Sequence, residues 1–260
     1  MASSGPKLDG LRRRQLGGSY RTGAEHYDRI RPGYPVEAVE WLFDVPSIAG
    51  RAAASVSVAD IGAGTGKYTA ALASAGFRVH AVDPSADMLA QLSRSLPAVP
   101  VTEGTAEHTG LPDASFDAVT VAQAWHWCDP VASAAEFNRI LAPGGFAGLI
   151  WNQLDVSVPW VHRFSRIIHA GDVLRPGFRP ALGTQLKLQE FHTTSWSAAM
   201  TPEDLAELAQ SRAYYLSASE PTRAKVLANL SWYLHDHLGH APGEELQLPY
   251  LTFTWRAVRP

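Results

Sequence analysis

The chain has 260 residues, 46% apolar and 18% charged, an ordinary globular mixture with enough apolar material for a sizeable core. Its net charge of −3, from 22 basic and 25 acidic side chains, supplies no basic field for a nucleic-acid partner. The single cysteine, Cys128, excludes an internal disulfide and fits a reducing compartment, so a cytoplasmic location is expected.

In chain order, residues 1–20 carry charge but lack the apolar segment of a secretory signal, and their Gly, Ser and Arg content reads as a loose tail. No later apolar run approaches the roughly 18 residues of a membrane helix. Residues 35–42 read as a helix with proline in its first turn. A β-branched run over 54–61 predicts a strand, followed by glycines and a small apolar helix over 69–75 that Gly76 closes. Strand 78–83, a helix over 85–96 capped by Ser85, a short strand over 99–103 and an apolar strand over 116–122 come next. A helix over 131–141, a Pro143-Gly144-Gly145 turn and a strand over 146–151 complete this alternation.

After Asn152 the rhythm loosens into a helix over 158–170, a Pro/Gly-rich stretch, a strand near 191–196, helices near 201–210 and 221–237, and a terminal strand over 246–258. The β-α-β-α order predicts a mostly parallel sheet with helices on both faces. No repeat or linker divides the chain, so a single domain over 1–260 is expected: tail and lid in 1–35, a ligand-binding core in 36–152, and an elaborated half in 153–260 that completes the sheet.

The glycines of Asp60-Ile61-Gly62-Ala63-Gly64-Thr65-Gly66-Lys67 lie between a strand and a helix, where a backbone can approach a ligand closely. Nicotinamide sites want G-x-G-x-x-G, but here Lys67 stands where a small residue should pack helix against strand. A phosphate loop wants G-x-x-x-x-G-K-[ST], but Ile61 and Tyr68 occupy its first and last positions. Neither phosphate-binding pattern fits.

Asp60-x-Gly62-x-Gly64-x-Gly66 resembles the first motif of class I S-adenosylmethionine (SAM)-dependent methyltransferases. Val82-Asp83-Pro84-Ser85-x-x-Met88-Leu89, Glu103-Gly104-Thr105-Ala106-Glu107 with Leu111-Pro112 and Ser115 to Val119, and Arg139 to Gly145 are similar to its later motifs. Tyr27 to Pro35, Ala122 to Asp129 and Leu248-Pro249-Tyr250-x-Thr252 resemble a small-molecule subgroup that includes trans-aconitate methyltransferase-like proteins. The resemblance implies a Rossmann-like seven-stranded sheet, mostly parallel with an antiparallel last strand, and an N-terminal lid. It also implies SAM as cofactor, S-adenosylhomocysteine (SAH) as product, and methyl transfer to a small molecule. Oxygen is the favoured acceptor atom, because the subgroup includes carboxyl methylation. The alternative is a SAM-fold protein that transfers no methyl, either a cyclase-like catalyst or a binding module.

On this resemblance, Asp60 accepts from the cofactor's ammonium or else caps the loop, and Gly62, Ala63 and Gly64 admit its tail and ribose. Asp83 accepts from the ribose hydroxyls. Met88 packs on adenine or in the helix core, and Thr105, Ala106 and Glu107 lie along the adenine. Ala122 and Gln123 border the crevice beyond the strand ends. Tyr27 and Arg31 belong to the lid on the cofactor side, and Tyr34 to the substrate side. Trp125, Trp127 and Trp151 are expected as pocket walls, where an indole face attracts a sulfonium. His126 is the candidate base for a hydroxyl acceptor, or a structural histidine beneath the tryptophans. No metal is expected: His235, His237 and His240 read as a helix terminus.

Overall fold

The computed structural model describes residues 30–170 and 177–260. Helix α1 (Val36–Phe43) leads to strand β1 (Ser57–Ile61), then α2 (Lys67–Ser74), β2 (Arg78–Asp83), α3 (Ala86–Ser95) and β3 (Val101–Glu103). Strand β4 (Phe116–Ala122), α4 (Pro130–Ile140) and β5 (Leu141–Leu154) follow, then α5 (Pro159–Ile167), β6 (Lys187–Met200), α6 (Pro202–Gln210), α7 (Ala213–Ser217), α8 (Glu220–Ser231) and β7 (Leu246–Val258). Ser85 caps α3, and Asp129 caps α4 by accepting from Val131 and Ala132 N–H.

The seven strands lie in the order β3-β2-β1-β4-β5-β7-β6. Strands β1 to β5 pair in parallel, and β7 runs antiparallel between β5 and β6. This is the expected Rossmann-like sheet with its antiparallel last strand. The order turns back between β1 and β4, so a crevice opens outside their carboxyl ends, where open α/β sheets bind ligands.

β1 is buried along its whole length, as a central parallel strand covered on both faces must be. Leu42 of α1 and Tyr68 and Leu72 of α2 pack with Val58, Ala118 and Ile150. Phe137 and Ile140 of α4 pack with Val119, Leu149 and Trp255. A further core joins α5, α6 and α8 through Phe164, Leu205, Leu208, Leu230 and Tyr233 to Leu154 and Tyr250. The cause is register. β4 ends opposite Ile150, whereas residues 151–154 of β5 run on, paired to β7 as far as Leu154↔Tyr250. The C-terminal helices cover this overhang, on the side where the crevice opens.

Several boundaries depart from the periodicity: β5 runs over Leu141–Leu154 rather than the expected 146–151, taking in the Pro143-Gly144-Gly145 turn, because it pairs with β4 from Leu141 and with β7 as far as Leu154. β6 spans Lys187–Met200 because β7 pairs along it, well beyond the expected 191–196. The expected helix over 221–237 changes at Ser231 to a π-turn, Trp232–His237, in which His235 Nδ1 meets His240 O at 2.7 Å.

Helix α1 is held from a distance. Arg256 of β7 lies 4.5 Å over the Trp41 ring and donates to the carbonyls of Trp41, Leu42 and Asp44, while pairing with Glu190. It thereby satisfies the carbonyls that a helix C-terminus leaves open. Beneath α1, a Cβ on Gly148 would lie 2.6 Å from Leu42 Cδ2. Gly148→Ala is therefore expected to cost about 1–3 kcal/mol by overpacking, read as a lower urea midpoint at constant slope.

Candidate functional site

The loop after β1 is folded onto the end of β2. Gly62 and Ala63 N–H both donate to Val82 O, at 2.8 and 3.0 Å. Gly62 has φ 67, and a Cβ there would lie 2.6 Å from Ala124 Cβ, so packing against the chain after β4 requires this glycine. Gly64 differs. Its φ is 57, its N–H donates to Asp83 Oδ2 at 2.9 Å, and an added Cβ would meet nothing within 4 Å among the described residues. Its backbone faces open space.

Two carboxylates end the adjoining strands. Asp60 is only 1% exposed, and accepts from Thr69 Oγ1 at 2.6 Å and Thr120 Oγ1 at 2.9 Å. Burial pushes its carboxyl up to about 6, against the lowering effect of both hydroxyls, with the charge of Asp83 adding to the rise. Asp60 thus ties β1 to α2 and β4, each of its oxygens keeping a second lone pair. Asp83 accepts from Ser85 N–H through Oδ1 at 2.9 Å and from Gly64 N–H through Oδ2. Burial raises its carboxyl too, opposed by those two donors.

Beyond β4, Ala122 and Gln123 border the crevice. Gln123 has φ 56, unusual for a residue with a side chain. Its amide donates to Asn152 O at 2.7 Å. Asn152 in turn donates to Gly33 O at 2.8 Å and accepts from Thr252 Oγ1 at 2.6 Å. The sequence reading missed Asn152, which joins the segment before α1 to β4, β5 and β7; its only local signal is a polar residue closing an apolar strand.

Two of the expected pocket walls lie in the core instead. Trp125 is buried against Phe137 at 5.7 Å, and its indole N–H donates to Ala181 O at 2.9 Å. Trp151 is buried edge-on to Trp255 at 5.3 Å and to Phe178 at 6.0 Å. Both rings face apolar partners contributed by distant segments, which local spacing does not encode. Trp127 is half-buried and packs on the exposed His126 ring at 4.5 Å.

Met88 is buried in the first turn of α3. Thr105 and His108 form an isolated bridge, Ala106 is buried, and Glu107 accepts from Asp129 N–H at 2.8 Å. Tyr34 packs edge-on to Tyr68 at 4.9 Å. Arg31 donates to Ser211 Oγ at 3.0 Å and Ser211 O at 3.1 Å, at the end of α6. Tyr27 lies outside the described residues. Among those described, no three His, Cys, Asp or Glu side chains converge to hold a metal ion, and no helix is long and apolar enough to cross a membrane.

Residues 59–149 match the model of a family described as a methyltransferase domain. An uncharacterized methyltransferase of Mycobacterium tuberculosis is 40% identical over 247 residues, covering 95% of this chain and 98% of its own. The chain belongs to the class I SAM-dependent methyltransferases. The matched span of this methyltransferase runs from β1 into β5 and contains the glycine loop, Asp60, Asp83 and Gln123. A malonyl-[acyl-carrier protein] O-methyltransferase of Erwinia billingiae is 34% identical over 134 residues, 45% of this chain and 53% of its own. Among solved structures, a proposed type II methyltransferase of Anaeromyxobacter dehalogenans shares the fold with TM-score 0.66 at 24% identity, over 88% of this methyltransferase and 97% of that chain.

Proposed function

We propose that this methyltransferase binds SAM in the crevice outside β1, β2 and β4 and methylates a small-molecule acceptor, preferably at oxygen. The observation that carries the reading is the pairing of Gly64 with Asp83: a backbone facing open space beside a carboxylate. SAM brings hydroxyls and an ammonium but no phosphate, so it asks for acceptors where a nucleotide diphosphate asks for donors. Carboxylates at the ends of β1 and β2 suit that demand.

When bound, SAM supplies an electrophilic methyl group on a cationic sulfonium. The protein's part is then largely orientation and exclusion of water. Asp83 accepts from the ribose hydroxyls through its free lone pairs. Asp60 takes the ammonium end directly or through water, and Gly62, Ala63 and Gly64 form the loop beside the tail. Met88, Thr105, Ala106 and Glu107 flank the adenine, while Ala122 and Gln123 border the reacting end. Arg31 and Tyr27 serve the cofactor, and Tyr34 and Trp127 the acceptor. His126, exposed beside Trp127, serves as base for a hydroxyl acceptor; a carboxylate acceptor needs none. The oxygen preference leans on His126 and on the malonyl-[acyl-carrier protein] O-methyltransferase relative. A single domain completed by β6 and β7 accords with one sheet spanning the chain. The lone cysteine and the charge of −3 accord with a cytoplasmic protein that takes no nucleic acid.

The test is SAH release from SAM across panels of carboxylic acids, hydroxyl compounds and amines. Turnover with an oxygen acceptor supports the reading; turnover with amines alone overturns the oxygen preference, and no SAH from any panel leaves methyl transfer unsupported. On a hydroxyl acceptor, His126→Ala is expected to slow turnover about 100-fold with unchanged SAH affinity. Undiminished turnover would make His126 scaffolding.

A further inference from the structure

Helices α5 and α8 face each other across an open groove of about 810 Å³, within the size range of small-molecule sites. His162, Arg163 and Arg166 of α5, His169 just beyond it and Lys225 of α8 line it, and among the described residues that line it none is a carboxylate. Among the described residues, neither Arg166 nor Lys225 makes an ion pair; the basic side chains that do so there are Arg51, Arg139, His240 and Arg256. A chain of net charge −3 thus gathers unneutralised cations at one place.

Helix electrostatics explain only part of this. Arg166 lies in the last turn of α5, where a cation complements the dipole. Lys225 lies in the first half of α8, where it does not, and it faces like charges across the groove. Arg163 is steadied over the rings of Trp232 and Tyr233 at 5.7 and 5.4 Å, contacts made through the guanidinium face that use none of its N–H donors. His169 adopts a left-handed backbone, φ 49, and stacks on Tyr214 at 3.9 Å, giving the groove a flat wall. Like charges held together without partners cost stability unless a counter-charge joins them.

We infer that the groove between α5 and α8 is an anion site that takes the phosphate or carboxylate groups of a small molecule. Arg166 offers the planar fork that matches either group in a bidentate manner, and Lys225 a point charge from the opposite helix. The ring of Tyr214 carries the apolar body of the ligand. The site stands on the groove alone and is separate from the cofactor reading.

Titration calorimetry with inorganic pyrophosphate and with succinate tests it, with SAH titrated in parallel. At least one anion is expected to bind, more weakly as salt rises from roughly 50 to 200 mM. Pyrophosphate alone marks a phosphate site, and succinate alone a carboxylate site. The double substitution Arg166→Ala with Lys225→Ala should weaken anion binding at least about tenfold, the loss of one to two charge-assisted hydrogen bonds, with SAH affinity unchanged. Arg166→Lys with Lys225→Arg should retain it. Silence from both anions, or equal binding by the alanine variant, overturns the inference. Silence from SAH with anion binding intact counts against the cofactor site alone.

Discussion

Asp83→Ala will weaken SAH binding about 100-fold, the loss of roughly 2.7 kcal/mol carried by hydrogen bonds to a charged acceptor. Two effects combine. The proposed ribose acceptor disappears, and Gly64 N–H and Ser85 N–H lose the carboxylate that fixes the loop after β1 against the start of α3. Asp83→Asn separates them. One oxygen can still accept a backbone N–H, so much of the loop order survives, whereas the charge and one acceptor are gone. An intermediate loss of affinity is expected for Asn, with circular dichroism and the unfolding midpoint near wild type. Calorimetry showing unaltered SAH affinity in both variants would remove Asp83 from the cofactor site.

The second large effect concerns Asp60 and pH. Its folded carboxyl stands at about 6 against an ordinary 3.8, chiefly because it is buried. Between those values the folded protein holds a proton that the unfolded chain has released. Stability therefore falls as pH rises through that window and stays lowered above it, by about 3 kcal/mol for a shift of roughly two units. Asparagine has the same shape, accepts from one of Thr69 and Thr120 and donates to the other hydroxyl. Without cofactor, Asp60→Asn is expected to melt about 5–10 °C higher at pH 7 and to lose the slope between pH 4 and 6. The variant should also bind SAH more weakly, since the acidic partner for the ammonium is gone. A lower melting point with the slope intact would show that another group carries the pH dependence. Stability given up at Asp60 in exchange for a buried negative charge is what a ligand-binding carboxylate requires.

Much of this architecture was legible in the sequence because its signals are local. The boundaries of β2, β4 and β7 follow directly from apolar runs bounded by turn residues. Ser85 announces the helix it caps. The glycine loop between β1 and α2, with Asp60 before it and Asp83 ending the next strand, points to a ligand crevice through residue type and spacing alone. Rejection of the two phosphate motifs likewise needed only Ile61, Lys67 and Tyr68.

What the sequence by itself determined is thus the order of the elements, the parallel character of the sheet and the position of the loop along the chain. Tertiary structure alone decided which residue meets which across long separations. It set Ala124 against Gly62, leaving Gly64 to face open space. It drew Trp125 and Trp151 into the core, through Phe137, Ala181 and Trp255. It brought Asn152 to Gly33, and Arg256 to the end of α1. It also gathered the cations of α5 and α8, more than fifty residues apart, into one groove. The physical reason is one of range. Periodicity, caps and turns act within a few residues, whereas burial and close approach depend on the register of β5, β6 and β7, which no local window contains.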